Sequence, residues 1–517
     1  MPETVLALCG AAVGVASAIS AFVPLQAWRF DVVRGVLPAD LLHVAASVSI
    51  VFGIALVWLA QGLARRKRRA WQLAVAVAAG MAVSHLVKGL AVEEAAVSVA
   101  LLAALLAFRG RFRCAGDPAV WRPLAQVVAA LGTLAAVAVL DVSGVVDLPE
   151  RAEEACGLLG AVLVARALAL WLRPPAQDEE CPLLRARARE VVAAHGCDTL
   201  AFFALRADKR YVFSPSGATL LAYRVVNGVA LVSGDPIGRR DEMRGLLEEF
   251  RRIAQLRGWR LAVLAASAEL LPLYEQLGLK PVYLGDEAVV VPERFSLEGR
   301  PIRKVRQSVA RLEREAYRLR VLPVAEVDER LADELRAVSS AWRGRRPERG
   351  FTMAMDGLFA YPEALLAVAE HEDGTVGGFL QLVPVPATGG YSLASMRRRR
   401  NVPNGLMEFL LARTIAWACE HAVPELSLNF SVFGETIREP ASARHAALRF
   451  GLLRLDRLFQ IDRLLRFNRK FFPEWRPRYI CLERTRDLPL VGLAFLRAES
   501  LLVPPGPWAR SRDFAAR

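Results

Sequence analysis

The sequence predicts an α-helical membrane domain of about six spans followed by an α+β domain made of two similar units. Two observations lead to this prediction. Residues 1–172 contain nearly continuous apolar runs, and the whole 517-residue chain is 54% hydrophobic. Beyond residue 198, short strand-like runs alternate with amphipathic helical stretches and turn residues, a pattern typical of domains that combine a sheet with helices.

The N-terminal third contains six apolar stretches that we interpret as spans, and several of them have lengths close to the ~20 residues that a helix needs to cross a bilayer. They are 5–22, 41–63, 70–90, 96–108, 124–140 and 157–171. The fourth is the shortest, and we expect it to begin near Val92. The first lacks a basic leader and runs on into further spans, so we expect it to be a span and not a cleaved signal.

Basic loops predict the orientation of these spans. Residues 65–69 read Arg-Arg-Lys-Arg-Arg, and Arg109, Arg111 and Arg113 follow the fourth span, whereas the segment 141–154 is acidic. The positive-inside rule places the basic loops in the cytoplasm. We therefore expect a multi-pass protein of the cell membrane, with both termini and the α+β domain in the cytoplasm.

The charge and the cysteines limit the partners. The net charge of +14 favours RNA or anionic lipid, although membrane proteins also gain basic residues for topology alone. The seven cysteines are scattered without CxxC or Cys-His spacing. We therefore expect no metal site, no disulfide framework and no cofactor.

A proline pair at 174–175 ends the last span and opens a linker. The expected domains are 1–172 (membrane), 173–197 (linker and helix), 198–300 (first α+β unit), 301–320 (basic connecting helix), 321–486 (second, catalytic unit) and 487–517 (C-terminal tail). Among the finer predictions are a strand at 200–205 and helices at 303–317, 360–370, 441–450 and 456–468. The second unit repeats the element order of the first.

A dense group of cations lies where a strand of the second unit gives way to a helix. The predicted strand 390–396 leads into four arginines at 397–400, a Pro-Asn-Gly turn follows, and an amphipathic helix begins at Leu406. Anionic ligands gather at the carboxyl ends of strands and the N-termini of helices. The pattern predicts an anion-binding cleft at Arg397.

An ordered series of short motifs runs from residue 198 to residue 486. They read Asp-Lys-Arg at 208–210, Ser-Gly-Asp-Pro-Ile-Gly at 233–238, Gly-Asp-Glu-Ala at 285–288, Phe-Ser-Leu-Glu-Gly at 295–299, Lys-Val-Arg-Gln at 304–307, Arg-Arg-Pro-Glu-Arg-Gly-Phe at 345–351, Met-Arg-Arg at 396–398, Pro-Asn-Gly-Leu-Met-Glu-Phe at 403–409 and Phe-Asn-Arg-Lys-Phe-Phe-Pro-Glu-Trp-Arg-Pro-Arg-Tyr at 467–479. The series resembles the synthase domain of the aminoacyl-phosphatidylglycerol synthases, the multiple peptide resistance factor (lysyl-phosphatidylglycerol synthase) family. The form that it resembles has neither the flippase nor a fused lysyl-tRNA synthetase.

The resemblance implies a tandem GNAT-like acyltransferase fold. It also implies an aminoacyltransferase that moves an amino acid, with lysine as the first expectation, from aminoacyl-tRNA to a glycerol hydroxyl of phosphatidylglycerol. The product would be a cationic lipid in the cytoplasmic leaflet, and a homo-oligomer is left open. An aminoacyl ester is already activated, so positioning and charge stabilisation are enough without ATP or metal.

Three residues are expected to be catalytic. Arg397 can offer bidentate hydrogen bonds to a lipid phosphate or to the tRNA terminus. Lys470 resembles a family lysine near the site. Glu408 would orient the substrate ammonium group, or would only complement the dipole of its helix. One departure is Ala394, because the family often has Asp at this place, three residues before the matching arginine.

Further residues are expected to bind substrate or phosphate. The substrate-binding candidates are Asn429, Trp342, Arg398 and Tyr391. Asn429 could instead form a turn after its strand, and Trp342 either stacks on the terminal adenine of the tRNA or packs in the core. The candidates for contacts to tRNA or lipid phosphates are Arg303, Lys304, Arg306 and Arg311. A solvated connecting helix is the alternative for these four.

Three other functions compete with this interpretation. A coenzyme-A-dependent acyltransferase fits less well, because residues 399–405 lack the [RQ]xxGx[GA] pyrophosphate loop. Aminoacyl transfer to another lipid-linked acceptor, such as a peptidoglycan precursor, keeps the same donor. A non-catalytic lipid-binding or transport protein with a degenerate acyltransferase domain is an alternative that Ala394 leaves open. Alanine or ornithine could replace lysine.

Overall fold

The structure, a computed structural model, describes residues 2–20, 39–89, 91–114, 116–143, 145, 149–177, 181–344, 350–351, 354–432 and 461–502. The chain divides by its internal contacts into two compact units, residues 1–176 with 252–259 and residues 177–251 with 260–517. The first unit is helical, and the second is built on one large sheet. The predicted fold class is confirmed.

The described part of the first unit contains six helices. They are α1 (Pro2–Ser20), α2 (Ala39–Ala64), α3 (Arg68–Gly89), α4 (Val92–Ala107), α5 (Trp121–Val142) and α6 (Glu150–Trp171). All but α4 are long and apolar enough to cross a membrane. Helix α4 has 16 residues, which gives it a length of ~24 Å against a hydrocarbon thickness of ~30 Å.

Close contact between glycines brings α1 and α2 together. A Cβ atom on Gly53 would lie 2.5 Å from the carbonyl oxygen of Gly14, so larger residues would force the helices apart. The buried residue His85 on α3 lies 3.1 Å from the Ser17 hydroxyl on α1 and 2.8 Å from a carboxylate oxygen of Glu94 on α4. These three polar side chains therefore contact one another inside an apolar bundle.

The second unit contains eight α-helices among its described residues. They are α7 (Pro182–His195), α8 (Arg240–Leu256), α9 (Leu271–Gln276), α10 (Arg303–Arg314), α11 (Glu329–Arg343), α12 (Leu406–Glu420), α13 (Ile461–Asn468) and α14 (Leu488–Ala498). The last residues of α8 group with the first unit. The predicted helix 441–450 lies outside the described residues, and the prediction for 456–468 overlaps α13.

Eleven strands form the single sheet of the second unit. They are β1 (Arg210–Phe213), β2 (Leu220–Val226), β3 (Val229–Ser233), β4 (Arg260–Ser267), β5 (Lys280–Val290), β6 (Tyr317–Pro323), β7 (Leu365–His371), β8 (Val376–Val385), β9 (Gly390–Arg398), β10 (Leu426–Val432) and β11 (Glu474–Leu482). Their order in the sheet is β1-β2-β3-β4-β11-β5-β10-β9-β8-β7-β6.

This order joins two halves into one sheet. Strands β1–β5 lie in the first predicted α+β unit and β7–β10 in the second, and β6 crosses the predicted boundary at residue 320. The two halves meet where β5 pairs with β10. Strand β11, the last in the chain, lies between β4 and β5 and is antiparallel to both. The end of the second half therefore completes the sheet of the first.

Helices cover both faces of the second half of the sheet. On one face, α11 and the 3-10 segment Ala201–Leu205 pack with residues such as Phe379 into an apolar core. On the other face, α10 and α12 pack with Leu393 and Leu428. Arg397 and its neighbours extend from this layered core at the end of β9.

Three local predictions are wrong. The predicted strand 200–205 is the 3-10 helix Ala201–Leu205, because a short apolar run does not distinguish a strand from a buried helical turn. The predicted helix 360–370 overlaps β7, whose pairing with β6 and β8 overrides its Ala- and Leu-rich composition. The predicted helix 303–317 ends at Arg314, so Arg318 and Arg320 lie on β6 at the edge of the sheet.

Candidate active site

The central feature of the candidate site is an opening between β9 and β10. These parallel strands pair only near their starts, where Leu426 lies opposite Tyr391 and Ser427 lies opposite Ser392. Beyond this point, β9 stays paired with β8 as far as Arg398, and β10 stays paired with β5 as far as Val432. Among the described strands, the sheet therefore opens at the carboxyl ends of two parallel neighbours, where main-chain groups can meet a ligand.

A β-bulge lies in β9 beside this opening. Gln381 on β8 pairs with Ser395 and Leu382 pairs with Leu393, so Ala394 is the extra residue between them. The Ala394 side chain is only 3% exposed and belongs to the apolar core on the α11 face. A carboxylate at this position would need a buried partner, so the alanine suits its surroundings.

Arg397 follows the bulge and points to the α11 face of the sheet. It lies opposite Phe379 of β8, and its guanidinium group donates a hydrogen bond to the hydroxyl of Ser339 on α11. Alternation along the strand places Arg398 on the other face. Trp342, one helical turn after Ser339, is 51% exposed, so it does not pack in the core formed by the described residues.

Lys470 and Glu408 form an ion pair. The Nζ atom of Lys470 lies 2.7 Å from Oε1 of Glu408, which is in the first turn of α12. Lys470 belongs to the 3-10 turn Arg469–Phe471 that follows α13. Asn468, the residue just before this turn, donates a hydrogen bond from Nδ2 to the carbonyl oxygen of Leu428 at 3.4 Å. The ion pair therefore lies beside β10, just beyond its last pair with β9.

The predicted catalytic residues thus occupy two faces of one opening. Arg397 contacts α11 on one face, whereas Glu408 and Lys470 lie among α12 and the residues packed against it on the other. In the described contacts, Arg397 does not touch Lys470.

Two predicted substrate-binding residues lie at the start of the opening. Tyr391 lies in the short region where β9 pairs with β10. Its ring meets the ring of Trp417 on α12 edge-on, with centroids 6.4 Å apart. Burial raises the pKa of the Tyr391 hydroxyl. Asn429 lies in β10 where the register with β5 is irregular, between Ser427 and Phe430, and its side chain lies outside the described part of the structure.

The four basic residues of α10 that are expected to contact phosphate divide into two groups. Arg306 donates to the carbonyl oxygens of Leu297 and Gly299, at 2.6 and 3.0 Å, and Arg311 donates to the carbonyl oxygen of Asn404. Both side chains therefore tie loops to α10. Arg303 and Lys304 are exposed on the same helix, so they remain the better candidates for contact with a phosphate chain.

Sequence reasoning missed a buried ionic network beside the opening. Arg478 on β11 is 4% exposed. Its guanidinium group donates to Oε2 of Glu287 at 2.6 and 2.9 Å and to Oδ2 of Asp198 at 2.8 Å. Burial alone would lower the pKa of Arg478, but these carboxylates outweigh it and raise the pKa. The available signal was the charged residues inside these two strands, Asp286 and Glu287 on β5 and Arg476 and Arg478 on β11.

Hydroxyl groups connect this network to the point where the strands separate. Thr199 and Ser427 each donate to Oε1 of Glu287 at 2.5 Å. Ser392, the partner of Ser427 on β9, donates to the carbonyl oxygen of Thr199 at 2.6 Å. The network therefore fixes β5, β9 and β10 where the opening begins, and a buried network of this kind is strong only when all its members are bonded.

A cavity of about 390 Å³ lies next to the network. Asp235, from the predicted turn at 233–238, accepts hydrogen bonds from the Tyr274 hydroxyl at 2.7 Å and the Ser267 amide at 3.1 Å. Burial and the nearby charge of Asp198 raise the pKa of Asp235 to about 6. The charged lining residues are Asp198, Asp235, Arg240, Glu269, Glu425, Arg476 and Arg478.

The ionic lining of the cavity is partly paired. Arg476 lies 2.8 Å from Glu425, and Arg240 pairs with Glu269. The described residues include no group of three or more His, Cys, Asp or Glu side chains placed to hold a metal ion. The lining offers charged groups and hydrogen-bonding groups to a ligand.

Two of the sequence motifs meet away from the opening. Lys209, from the motif at 208–210, is 1% exposed, and its Nζ atom donates to the carbonyl oxygen of Phe351 at 2.8 Å. Burial lowers the pKa of Lys209 well below its usual value. Residues 345–349 of the partner motif lie outside the described residues. The contact anchors the segment that follows α11.

Comparison with known proteins gives a consistent family. The family model described as "Phosphatidylglycerol lysyltransferase, C-terminal" matches residues 189–482. Lysylphosphatidylglycerol biosynthesis bifunctional protein LysX of Rhodococcus jostii (strain RHA1) is 32% identical over 510 residues, covering 89% of this chain and 45% of that protein. The LysX of Mycobacterium ulcerans (strain Agy99) is 31% identical, with coverage of 97% and 50%. The chain spans about half the length of the curated relatives it matches.

Solved structures resemble the second unit. The structure of L-PGS from Bacillus licheniformis superposes with a TM-score of 0.55 and 26% identity, covering 61% of this chain and 96% of that chain. The C-terminal domain of a putative lysylphosphatidylglycerol synthetase from Agrobacterium fabrum gives a TM-score of 0.51 at 24% identity, covering 60% and 95%. The second likeness concerns the fold alone.

Proposed function

The chain belongs to the phosphatidylglycerol lysyltransferase family, and on that premise we propose that it transfers an amino acid, lysine first, from aminoacyl-tRNA to a glycerol hydroxyl of phosphatidylglycerol. One structural observation carries the proposal. The sheet opens between β9 and β10, with Arg397 at the end of one strand and the Lys470–Glu408 pair beside the other. An opening with cations on both faces suits a reaction between two anionic substrates.

The proposed reaction exchanges one ester for another. The glycerol oxygen of the lipid attacks the ester carbonyl carbon of the aminoacyl-tRNA, and a tetrahedral intermediate with a negative oxygen forms. The bond to the ribose oxygen then breaks, and the proton lost by the glycerol hydroxyl ends on that ribose oxygen. The donor ester supplies the driving force, so the protein has to align the reactants and stabilise the negative charge.

The cations and the carboxylate have distinct roles in this scheme. Arg397 binds a phosphate of the lipid or of the tRNA terminus, because a guanidinium group makes bidentate hydrogen bonds to phosphate. Lys470 stabilises the negative oxygen of the intermediate. With alanine at position 394, we assign transfer of the proton to Glu408, which lies 2.7 Å from Lys470.

We assign the donor's amino group to the cavity of about 390 Å³ beside the network. Its lining includes Asp198, which shares Arg478 with Glu287, and the buried Asp235. An ammonium group has charge complementary to these carboxylates, and lysine carries two of them on an aminoacyl ester. The hydroxyl network from Ser427 to Ser392 places this cavity beside the start of the opening.

The family and the five apolar helices indicate membrane association. We propose in addition how the chain is oriented in the membrane. Basic loops at 65–69 and 109–113 favour the cytoplasmic side. The second unit would then meet charged tRNA and the cytoplasmic leaflet. The reaction would leave its cationic lipid product in that leaflet.

The direct test uses the full chain in nanodiscs and tRNA charged with radiolabelled lysine. We expect label to enter the lipid phase only with phosphatidylglycerol in the disc, and the signal to disappear when the charged tRNA is first hydrolysed by ribonuclease. Parallel reactions use phosphatidylethanolamine as the acceptor, acetyl coenzyme A as the donor, and alanyl-tRNA. Labelled lipid formed from acetyl coenzyme A alone, or no lipid label with any donor, would overturn the proposal.

A further inference from the structure

Helix α14 is almost entirely apolar. Among its eleven residues, only Arg497 is polar. One side of the helix is buried: Val491, Ala494 and Ala498 pack against apolar residues of β3, β4 and β11. A surface helix of a globular domain normally carries polar residues on its opposite side.

The opposite side of α14 carries exposed leucines instead. On this side Leu490 is 44% exposed and Leu493 is 43% exposed, and Leu488 at the start of the helix is 39% exposed. Leu490, Leu493 and Arg497 are three and four residues apart, which places them on one side of the helix. An exposed apolar row of this kind on an otherwise ordinary domain marks a surface that contacts something.

The charges around this row are positive. Arg484, Arg486 and Arg497 are exposed near the two ends of the helix. The neighbouring acids are already paired, since Glu483 lies 3.1 Å from Arg251 and Asp487 lies 3.1 Å from Arg260. The surface therefore presents apolar side chains between outward-facing cations.

We propose that α14 is an interfacial helix that docks the second unit on an anionic lipid bilayer. Leu490 and Leu493 would lie among the upper acyl carbons, and the flanking arginines would lie at the level of the phosphates. This is the pattern of helices that lie in the plane of a membrane surface. A protein surface, including that of a second copy of this chain, is the alternative occupant that the crosslinking experiment distinguishes. The same chain carries five helices that are long and apolar enough to span a bilayer, so a lipid bilayer is available to this surface. The docking does not depend on the proposed transfer reaction.

The experiment is photo-crosslinking in the full chain, reconstituted in nanodiscs. Leu493→p-benzoylphenylalanine reports what covers the row, and Glu372→p-benzoylphenylalanine, in the exposed turn between β7 and β8, is the control. Mass spectrometry identifies the adducts. We expect phospholipid adducts at 493 in discs that contain phosphatidylglycerol, in clear excess over those at 372. Thermal unfolding of each variant, compared with wild type, establishes that the fold is kept.

A charge variant tests the electrostatic part of the proposal. Arg484→Gln combined with Arg486→Gln should lower the lipid adduct at 493 by about fivefold or more, as should replacing phosphatidylglycerol by phosphatidylcholine. Adducts at 493 with peptides of this chain or of a second copy would overturn the proposal. Equal yields of lipid adduct at 493 and 372 would also overturn it, as would an adduct yield at 493 that does not depend on the charge of the lipid.

Discussion

Glu408 and Lys470 are 62 residues apart in the sequence, and their side chains meet at 2.7 Å. Glu408 belongs to the helix that follows β9, and Lys470 belongs to the turn that lies against β10. The pair therefore links the elements on the two sides of the opening. Its charges remain partly exposed, at 20% for Glu408 and 40% for Lys470, so the pair can meet a substrate.

Removing either member of this pair should reduce activity far more than stability. Lys470→Ala and Glu408→Gln are each expected to lower the rate of aminoacyl transfer by roughly a hundredfold or more, the usual effect of losing a catalytic acid, base or oxyanion donor. The unfolding free energy should change by only about 1 kcal/mol or less, because the pair is partly exposed. Steady-state transfer assays and thermal unfolding measure the two effects.

The control variant is Arg413→Ala. Arg413 lies on α12, as Glu408 does, and pairs with Glu313 of α10. Both side chains are about as exposed as Lys470. This variant removes a comparable ion pair away from the opening and should keep wild-type activity. If Lys470→Ala and Arg413→Ala had the same rates, the catalytic assignment of Lys470 would be wrong.

The buried network should dominate the stability of the second unit. Arg478→Met leaves Glu287 and Asp198 without their cation, and we expect a loss of about 3–5 kcal/mol in unfolding free energy. Arg476→Met, which breaks the partly exposed pair with Glu425, should cost about 1 kcal/mol or less. Chemical denaturation compares the two. Similar losses in both variants would contradict the central role of Arg478.

Asp235 should make stability depend on pH. Its pKa is raised to about 6 in the folded chain, so the folded state holds the proton more tightly than the unfolded state. This contribution is complete below about pH 4 and is lost as the pH rises through 6, by roughly 3 kcal/mol in total. Asp235→Asn removes the titration, so its unfolding temperature relative to wild type should increase between pH 4 and 7.5.

Glu269→Gln is the matched control for that measurement, since Glu269 lines the same cavity but is largely exposed. Its unfolding temperature relative to wild type should stay constant over this range. A constant difference for Asp235→Asn as well would show that the buried carboxyl group does not titrate there.

Gly405 combines two constraints at the start of α12. Its φ is +90°, and a Cβ atom would lie 2.5 Å from the Ser308 hydroxyl. Gly405→Ala should therefore cost about 1–3 kcal/mol, and Ser308→Ala in the same chain should recover part of the loss. Gly389→Ala isolates the backbone contribution, because Gly389 has φ +75° and open space around it. If Gly405→Ala cost no more than Gly389→Ala, the contact with Ser308 would be unimportant.

The sequence was informative where local patterns decide the structure. The turn at 403–405 and the helix that begins at Leu406 follow from Pro, Asn and Gly before an apolar-periodic stretch. The same reasoning placed Arg397 at the end of a strand. Lys470 and Glu408 were each selected separately, but their contact joins elements that lie far apart in the sequence.

Long-range pairing was beyond this reasoning. Arg478 meets Glu287 only because β11, at the end of the chain, enters the sheet between β4 and β5. Alternation and turn residues identify a strand but not its neighbours. For the same reason β7 was mistaken for a helix, since its pairing and burial, not its composition, determine its conformation.

The most direct test of the central claim is mass spectrometry of lipids from bacteria that contain phosphatidylglycerol and express the full chain. We expect a new aminoacyl-phosphatidylglycerol, with lysyl-phosphatidylglycerol as the first expectation. It should be absent from cells that express Lys470→Ala at equal protein level and present in cells that express Arg413→Ala. Lipid extracts without any aminoacylated phospholipid, or with the same amount in the Lys470→Ala cells, would contradict the central claim.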